Sequence, residues 1–214
     1  MKIAILGGTG KEGAGLASRW AVAGHSIIIG SRDAARAKTR AAELRDKTHT
    51  IPMIGESNLE AARLGDIVVV ALPALGLGTT LPEVRDACRG KVVVSTVVPL
   101  TFGGPRLFTP PAAGSAAEEA QALLPDAKVV AAFHHIAAHE LAETDHPIEC
   151  DLLYCGADAE SRAVVTELAT AMGLRALDVG GLANAGPLEG ITAVLATINR
   201  RYKLRNSGIK ITGL

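Results

Sequence analysis

The sequence predicts an α/β protein, a doubly wound, mostly parallel sheet with a C-terminal helical extension. Three observations predict it. Short runs rich in Val and Ile recur along the chain, stretches with helical apolar spacing separate them, and a glycine cluster follows the first run. Alternating strands and helices imply a parallel sheet with helices on both faces and right-handed crossovers. Near-continuous apolar runs fit strands that are covered on both sides.

Taken in order, "KIAILGG" is a β-branched run ending in glycines and reads as a buried strand. "GAGLASRWAVAG" follows with helical spacing and stops at Gly24, with Trp20 as a core residue. "SIIIGS" is a second strand, and "DAARAKTRAAELRDK" a helix opened by a capping Asp33. "DIVVVALP" and "KVVVSTVVP" are two more buried strands flanking a helical stretch near Leu81 to Cys88. The helix "GSAAEEAQALLP" leads into the strand "KVVAAF". Beyond "DLLYCG" come a capped helix, "DAESRAVVTELATAMG", and a short strand, "LRALDV". From about Gly181 one long helix-like segment, "LANAGPLEGITAVLATINRRYK", precedes a short tail. The expected division is a nucleotide-binding unit over 1–180 and a helix and tail over 181–214. Only 101–115 reads as a loop long enough to serve function.

The composition narrows the function. Lys plus Arg and Asp plus Glu both total 22, so the formal net charge is zero. A nucleic-acid partner, which would call for a basic excess, is not expected. No apolar run reaches the length of a membrane span, so no membrane association is expected. Met1 leads straight into a strand-like run with no basic segment or cleavage site, so no signal peptide is expected. Three cysteines, Cys88, Cys150 and Cys155, do not make a disulfide framework. A cytoplasmic protein with reduced thiols is the expectation.

Gly8-Thr9-Gly10-Lys11-Glu12-Gly13 is a G-x-G-x-x-G, with Gly7 in front of it. It follows a strand, opens a helix and sits in a βαβ unit, the context in which this string binds a dinucleotide in a Rossmann-like fold. Glycines let the backbone approach a pyrophosphate, and the helix N-terminus supplies N–H donors and a favourable dipole. An NAD-binding unit would then carry an acid about 20 residues on, for the adenine ribose. Ser31 and Arg32 stand there instead, with Arg36 one helical turn later. A hydroxyl and two guanidinium groups suit the 2′-phosphate of NADP, and Thr9 reaches the same corner. Asp33 is the one residue that would serve as a displaced ribose acid.

The ligand of such a sheet lies beyond the carboxyl ends of the strands. There the sequence offers "LPALGLG", with Pro73, then "TVVPLTFGG" and "FHHIAAHE". They hold no Ser-His-Asp set, carboxylate pair or Tyr-x-x-x-Lys arrangement. Hydride transfer between stacked rings needs none of these, so no catalytic acid or base is assigned. His134, His135 and His139 lie near Cys150 and Cys155 without a familiar zinc spacing, and no metal site is assigned.

"MKIAILGGTGKEGAGLASRWAVAGHSIIIGSRD", "VVVSTVVPL", "GSAAEEAQALLP", "KVVAAFHHIAA" and "INRRYK" together resemble the NADP oxidoreductases dependent on coenzyme F420, a deazaflavin. The resemblance runs from Met1 into the tail. It implies reversible hydride transfer between C4 of NADPH and C5 of the deazaflavin. It places Thr9, Ser31, Arg32 and Arg36 on the 2′-phosphate, and His134, Ile136 and Ala137 beside the ring stack. Val98 and Pro99 become pocket wall, and Asn184 to Tyr202 the closure of a homodimer. Ala137 stands where some members carry Pro. Two competing readings share the N-terminal unit: a reductase of imines or β-hydroxyacids, and a non-catalytic NADP-binding sensor.

Overall fold

A computed structural model describes residues 1–50, 52–104 and 106–214. Its centre is an eight-stranded sheet in the order β3-β2-β1-β4-β5-β6-β7-β8. The strands are β1 (Lys2–Leu6), β2 (Ser26–Ser31), β3 (Met53–Ser57), β4 (Ile67–Val70), β5 (Val92–Ser95), β6 (Lys128–Ala131), β7 (Asp151–Gly156) and β8 (Arg175–Asp178). The helices are α1 (Lys11–Val22), α2 (Ala34–Thr48), α3 (Asn58–Leu64), α4 (Leu77–Cys88), α5 (Ala116–Leu123), α6 (Ala138–Ala142), α7 (Ala159–Thr170) and α8 (Ala185–Tyr202).

The first six strands are mutually parallel, with β1 between β2 and β4. Crossovers leave β1 in both directions, so the switch in strand order falls between β1 and β4. Alternate residues of each strand supply two core layers. Ile3, Ile5, Ile27 and Ile29 pack with Trp20 and Phe133 on one face. Ala4, Leu6, Val68 and Val70 pack with Leu77 and Leu81 on the other. Trp20 is a core residue as its helical position implies, and its indole N–H donates to Leu168 O at 3.0 Å. Its ring meets Phe133 edge-on, centroids 5.3 Å apart.

The structure adds to the expected order and corrects it in places. β3 and α3 were not anticipated. β7 runs antiparallel to β6, and β8 is parallel to β7, so the sheet reverses at one edge. The long C-terminal segment begins as a 3-10 turn, Leu182–Asn184, before α8. The anticipated caps are present: Asp33 for α2, and Asp158 with Ser161 as a capping box for α7. No helix among the described residues is long and apolar enough to cross a membrane.

α8 is fastened to the sheet. Ala185 and Leu188 belong to the second core layer, and the Glu189 carboxylate accepts the Ala116 and Ala117 N–H groups at 3.0 and 3.1 Å. Those are orphan donors at the start of α5. Burial pushes the Glu189 carboxyl up to about 7 despite these bonds. A folded-state value above that of the unfolded chain means stability declines as pH rises from about 4.5 to 7 and then levels off. Glu189→Gln is therefore expected to remove part of the slope of the urea midpoint between pH 5 and 7. The slope it carries is at most about 1.4 kcal/mol per pH unit. Identical slopes in both proteins would exclude the titration.

A candidate dinucleotide-binding cleft

The cleft starts where β1 ends. Gly7 has φ +73°, and a Cβ there would lie 2.6 Å from Ala71 O at the end of the adjacent β4. Gly13 meets Gly8 so closely that a Cβ would sit 2.8 Å from the Gly8 Cα. These two positions let α1 begin directly against the loop. Gly10 caps the helix, and the nearest atom to a Cβ there would be Gly7 O at 3.4 Å. The first helical bond is Ala14 N–H to Gly10 O at 2.9 Å. The N–H groups of Lys11, Glu12 and Gly13 therefore have no intrahelical acceptor and are free for an anion.

Asn58, at the start of α3, supports this loop. Its Oδ1 accepts the Gly7 N–H at 3.3 Å and lies against Gly30, where a Cβ would be 2.9 Å away. Asn58 escaped the sequence reading because it opens the unanticipated helix. The Ser57-Asn58 pair, a capping residue ahead of helical spacing, was its available signal.

At the far corner β2 delivers Ser31, buried, followed by exposed Arg32 and Arg36. The Ser31 hydroxyl accepts the Asp33 N–H at 3.1 Å, leaving its own proton to donate. Asp33 is engaged as the cap of α2: its Oδ1 accepts Ala35 N–H at 2.9 Å and Arg36 N–H at 3.2 Å. Among the described residues neither Arg32 nor Arg36 forms an ion pair. Two unpaired guanidinium groups beside a helix N-terminus suit an anion of the ligand.

Between these ends lies a cleft of about 1080 Å³. Of the residues singled out in the sequence, it brings together Thr9, Gly10, Lys11, Glu12, Ser31, Arg32, Arg36, Pro73 and Val98. Gly7, Asp33 and Asn58 line it too, and so do Leu72, Thr80, Thr96 and Val97, which the sequence had not marked individually. Gly8 and Gly13 sit beneath the loop and shape it.

Pro99, His134, Ile136 and Ala137 do not line this cleft. Phe133 takes φ +65°, turning the chain inward, and Ile136 N–H closes the turn on Phe133 O at 3.0 Å. His134 is thereby buried edge-on to His135, with neither ring nitrogen hydrogen-bonded. Burial, and then the neighbouring His135, pushes its pKa down to about 3, so the ring is neutral at working pH. Ile136 and Ala137 border a separate hollow of about 220 Å³ beside Cys150 and Gly208 of the tail. Among the described residues no group of three His, Cys, Asp or Glu is placed to hold a metal ion.

Residues 2–99, which contain most of this cleft, match the family model described as NADP oxidoreductase, coenzyme F420-dependent. The likeness continues through the rest of the chain. An F420-dependent NADP reductase of Methanocaldococcus jannaschii is 41% identical, over 100% of this chain and 99% of its own. One from Methanothermobacter thermautotrophicus is 40% identical, over 100% and 96%. The chain belongs to the family of F420-dependent NADP reductases. A solved structure from Arthrobacter sp. FB24, described as a candidate member of the same F420-dependent NADP-reductase group, superposes with a TM-score of 0.86. It is 25% identical, with both chains covered completely. The family's shared fold thus includes α8 and the tail as well as the cleft.

Proposed function

We propose that this chain catalyses reversible hydride transfer between NADP(H) and coenzyme F420 in the cleft described above. The observation that carries the reading is the cleft's polarity, in a chain related along its whole length to F420-dependent NADP reductases. One end is a corner of hydroxyl and guanidinium groups. The middle is a helix N-terminus with free amides. The other end, Leu72, Pro73, Val97 and Val98, is apolar.

In this reading Gly8, Gly10, Lys11 and Gly13 form the pyrophosphate cradle through their backbone, together with Glu12. Thr9, Ser31, Arg32 and Arg36 hold the 2′-phosphate. Pro73 and Val98 face the nicotinamide end. Pro99, His134, Ile136 and Ala137 do not line the cleft, and no ring contact is assigned to them. The nicotinamide supplies hydride chemistry when bound, and the chain's contribution is to hold two flat rings in contact and exclude water. No side chain is assigned a proton-transfer role. The chain is read as a cytoplasmic homodimer without a nucleic-acid partner. The pairing surface is α8 with its exposed Val194 and Tyr202, so 181–214 serves dimerisation and 1–180 coenzyme binding.

Mixing the protein with NADPH and oxidised F420 should abolish the visible absorbance of the deazaflavin. Replacing NADPH by NADH, or F420 by FMN, should leave little or no reaction. Bound NADPH that reduces neither acceptor would overturn the proposal in favour of a sensor, and turnover with an imine would point to the imine reductases.

A further inference from the structure

Within the phosphate loop one side chain has no evident partner. Glu12 is the second residue of α1 and one of the residues lining the cleft. Its Oε1 is withdrawn from solvent and makes no hydrogen bond. A buried carboxylate without a donor is costly, so such a group takes up a proton or finds a ligand. The surrounding elements offer it no counter-ion among the described residues. Lys11 precedes it on its own helix and is exposed. Arg32, Asp33 and Arg36 stand across the cleft at the start of α2. Glu140 and Glu143 of the α6 region turn their backbone carbonyls to Arg19, farther along α1. His134 and His135 are buried at the end of β6. None forms an ion pair with Glu12.

From this we infer that Glu12 works as a neutral acid, donating its proton in a hydrogen bond to an oxygen of the bound dinucleotide, and so makes coenzyme binding depend on proton uptake. The inference rests on the cleft being the NADP site. A carboxylate in this place would set a third negative charge beside two phosphates, whereas a carboxylic acid adds a donor to the free amides of the helix end. Burial pushes the Glu12 carboxyl up to about 8, so the free protein carries it mainly protonated at neutral pH. Bound dinucleotide raises it further, because the complex excludes the charged form. Affinity for NADPH must then fall as pH passes the free-protein value, by up to about tenfold per pH unit.

Glu12→Gln has the size of the neutral acid, can still donate, and does not titrate. The test is a fluorescence titration of both proteins with NADPH at pH 7, 8, 9 and 9.5, with calorimetry at pH 9 in two buffers of different ionisation enthalpy. The wild-type Kd should rise by roughly tenfold from pH 8 to 9.5, accompanied at pH 9 by uptake of about one proton. The variant should bind within about threefold of wild type at pH 7, keep that affinity at pH 9.5 and take up no proton. Parallel pH profiles, or equal proton uptake, would overturn the role of Glu12 while leaving the coenzyme reading intact. So would a variant that loses binding at pH 7, since the charged form would then be the useful one. Failure of the wild-type protein to bind NADPH at pH 7 would remove the coenzyme reading itself, and the inference with it.

Discussion

Arg32→Ala should weaken NADPH binding by about tenfold to a hundredfold and leave NADH binding within about twofold. The range follows from the contact. A charge-assisted hydrogen bond contributes about 1.5–3 kcal/mol, which is roughly 10- to 150-fold in Kd. Arg32 is exposed, and screening by solvent pulls the effect toward the lower half of that range. Bidentate geometry on a phosphate pulls it upward, and this is where Lys cannot replace Arg. Arg32→Lys should therefore recover only part of the loss. The selectivity is the informative part. The 2′-phosphate is the sole difference between the two coenzymes, so a change in one Kd without the other reports on the groups that meet it. Parallel titrations with NADPH and NADH decide the matter, and equal weakening would place Arg32 outside the phosphate corner. Asp33 sharpens the expectation. Its Oδ1 is bonded to two amides of α2, so that oxygen is engaged as the helix cap and not offered to a ribose hydroxyl.

The first βαβ unit is legible in the sequence because three signals agree there: β-branched runs, glycines at the turn and helical spacing between them. Most cleft residues lie at or just past the carboxyl end of a strand, with Thr79 and Thr80 of α4 the exceptions, so locating the strands locates most of the wall. β3 is an edge strand, and its sequence "MIGES" alternates buried Met53 and Gly55 with exposed Ile54, too short and too polar to stand out. The reversal at β7 has a different cause. Apolar runs carry no direction, and direction follows from the connection. Between β6 and β7 there is only the five-residue α6, where a parallel return would require a full crossover helix. His134, Ile136 and Ala137 end off the cleft because of the positive φ at Phe133, a backbone choice that a Phe does not announce. Glu12 was visible as an acid within a phosphate loop. What could not be read was the burial of its Oε1 without a partner.

Gly55 connects the unread strand to the read site, and its replacement gives the largest expected loss of stability. A Cβ at this position would fall within the peptide joining Ala37 and Lys38 of α2, so the obstacle is backbone that has no rotamer to change. α2 must lift away from β3, or β3 must leave the sheet. Gly55→Val should destabilise the fold by about 3 kcal/mol or more, and Gly55→Ala by somewhat less. Both are read from urea midpoints at constant slope. Gly78 is the control. It lies within α4 with nothing inside 4 Å of a Cβ, and Gly78→Ala should be neutral or mildly stabilising. The consequence extends to the coenzyme. Arg36 rides on the first turn of α2 and Arg32 on the residues leading into it, so a displaced α2 shifts both guanidinium groups relative to the glycine loop. In the Gly55→Ala protein at a temperature where it remains folded, Kd for NADPH should therefore rise more than Kd for NADH. A variant as stable as Gly78→Ala would show that α2 and β3 are not in backbone contact. A destabilised variant with unchanged selectivity would show instead that the phosphate corner tolerates movement of the helix that carries it.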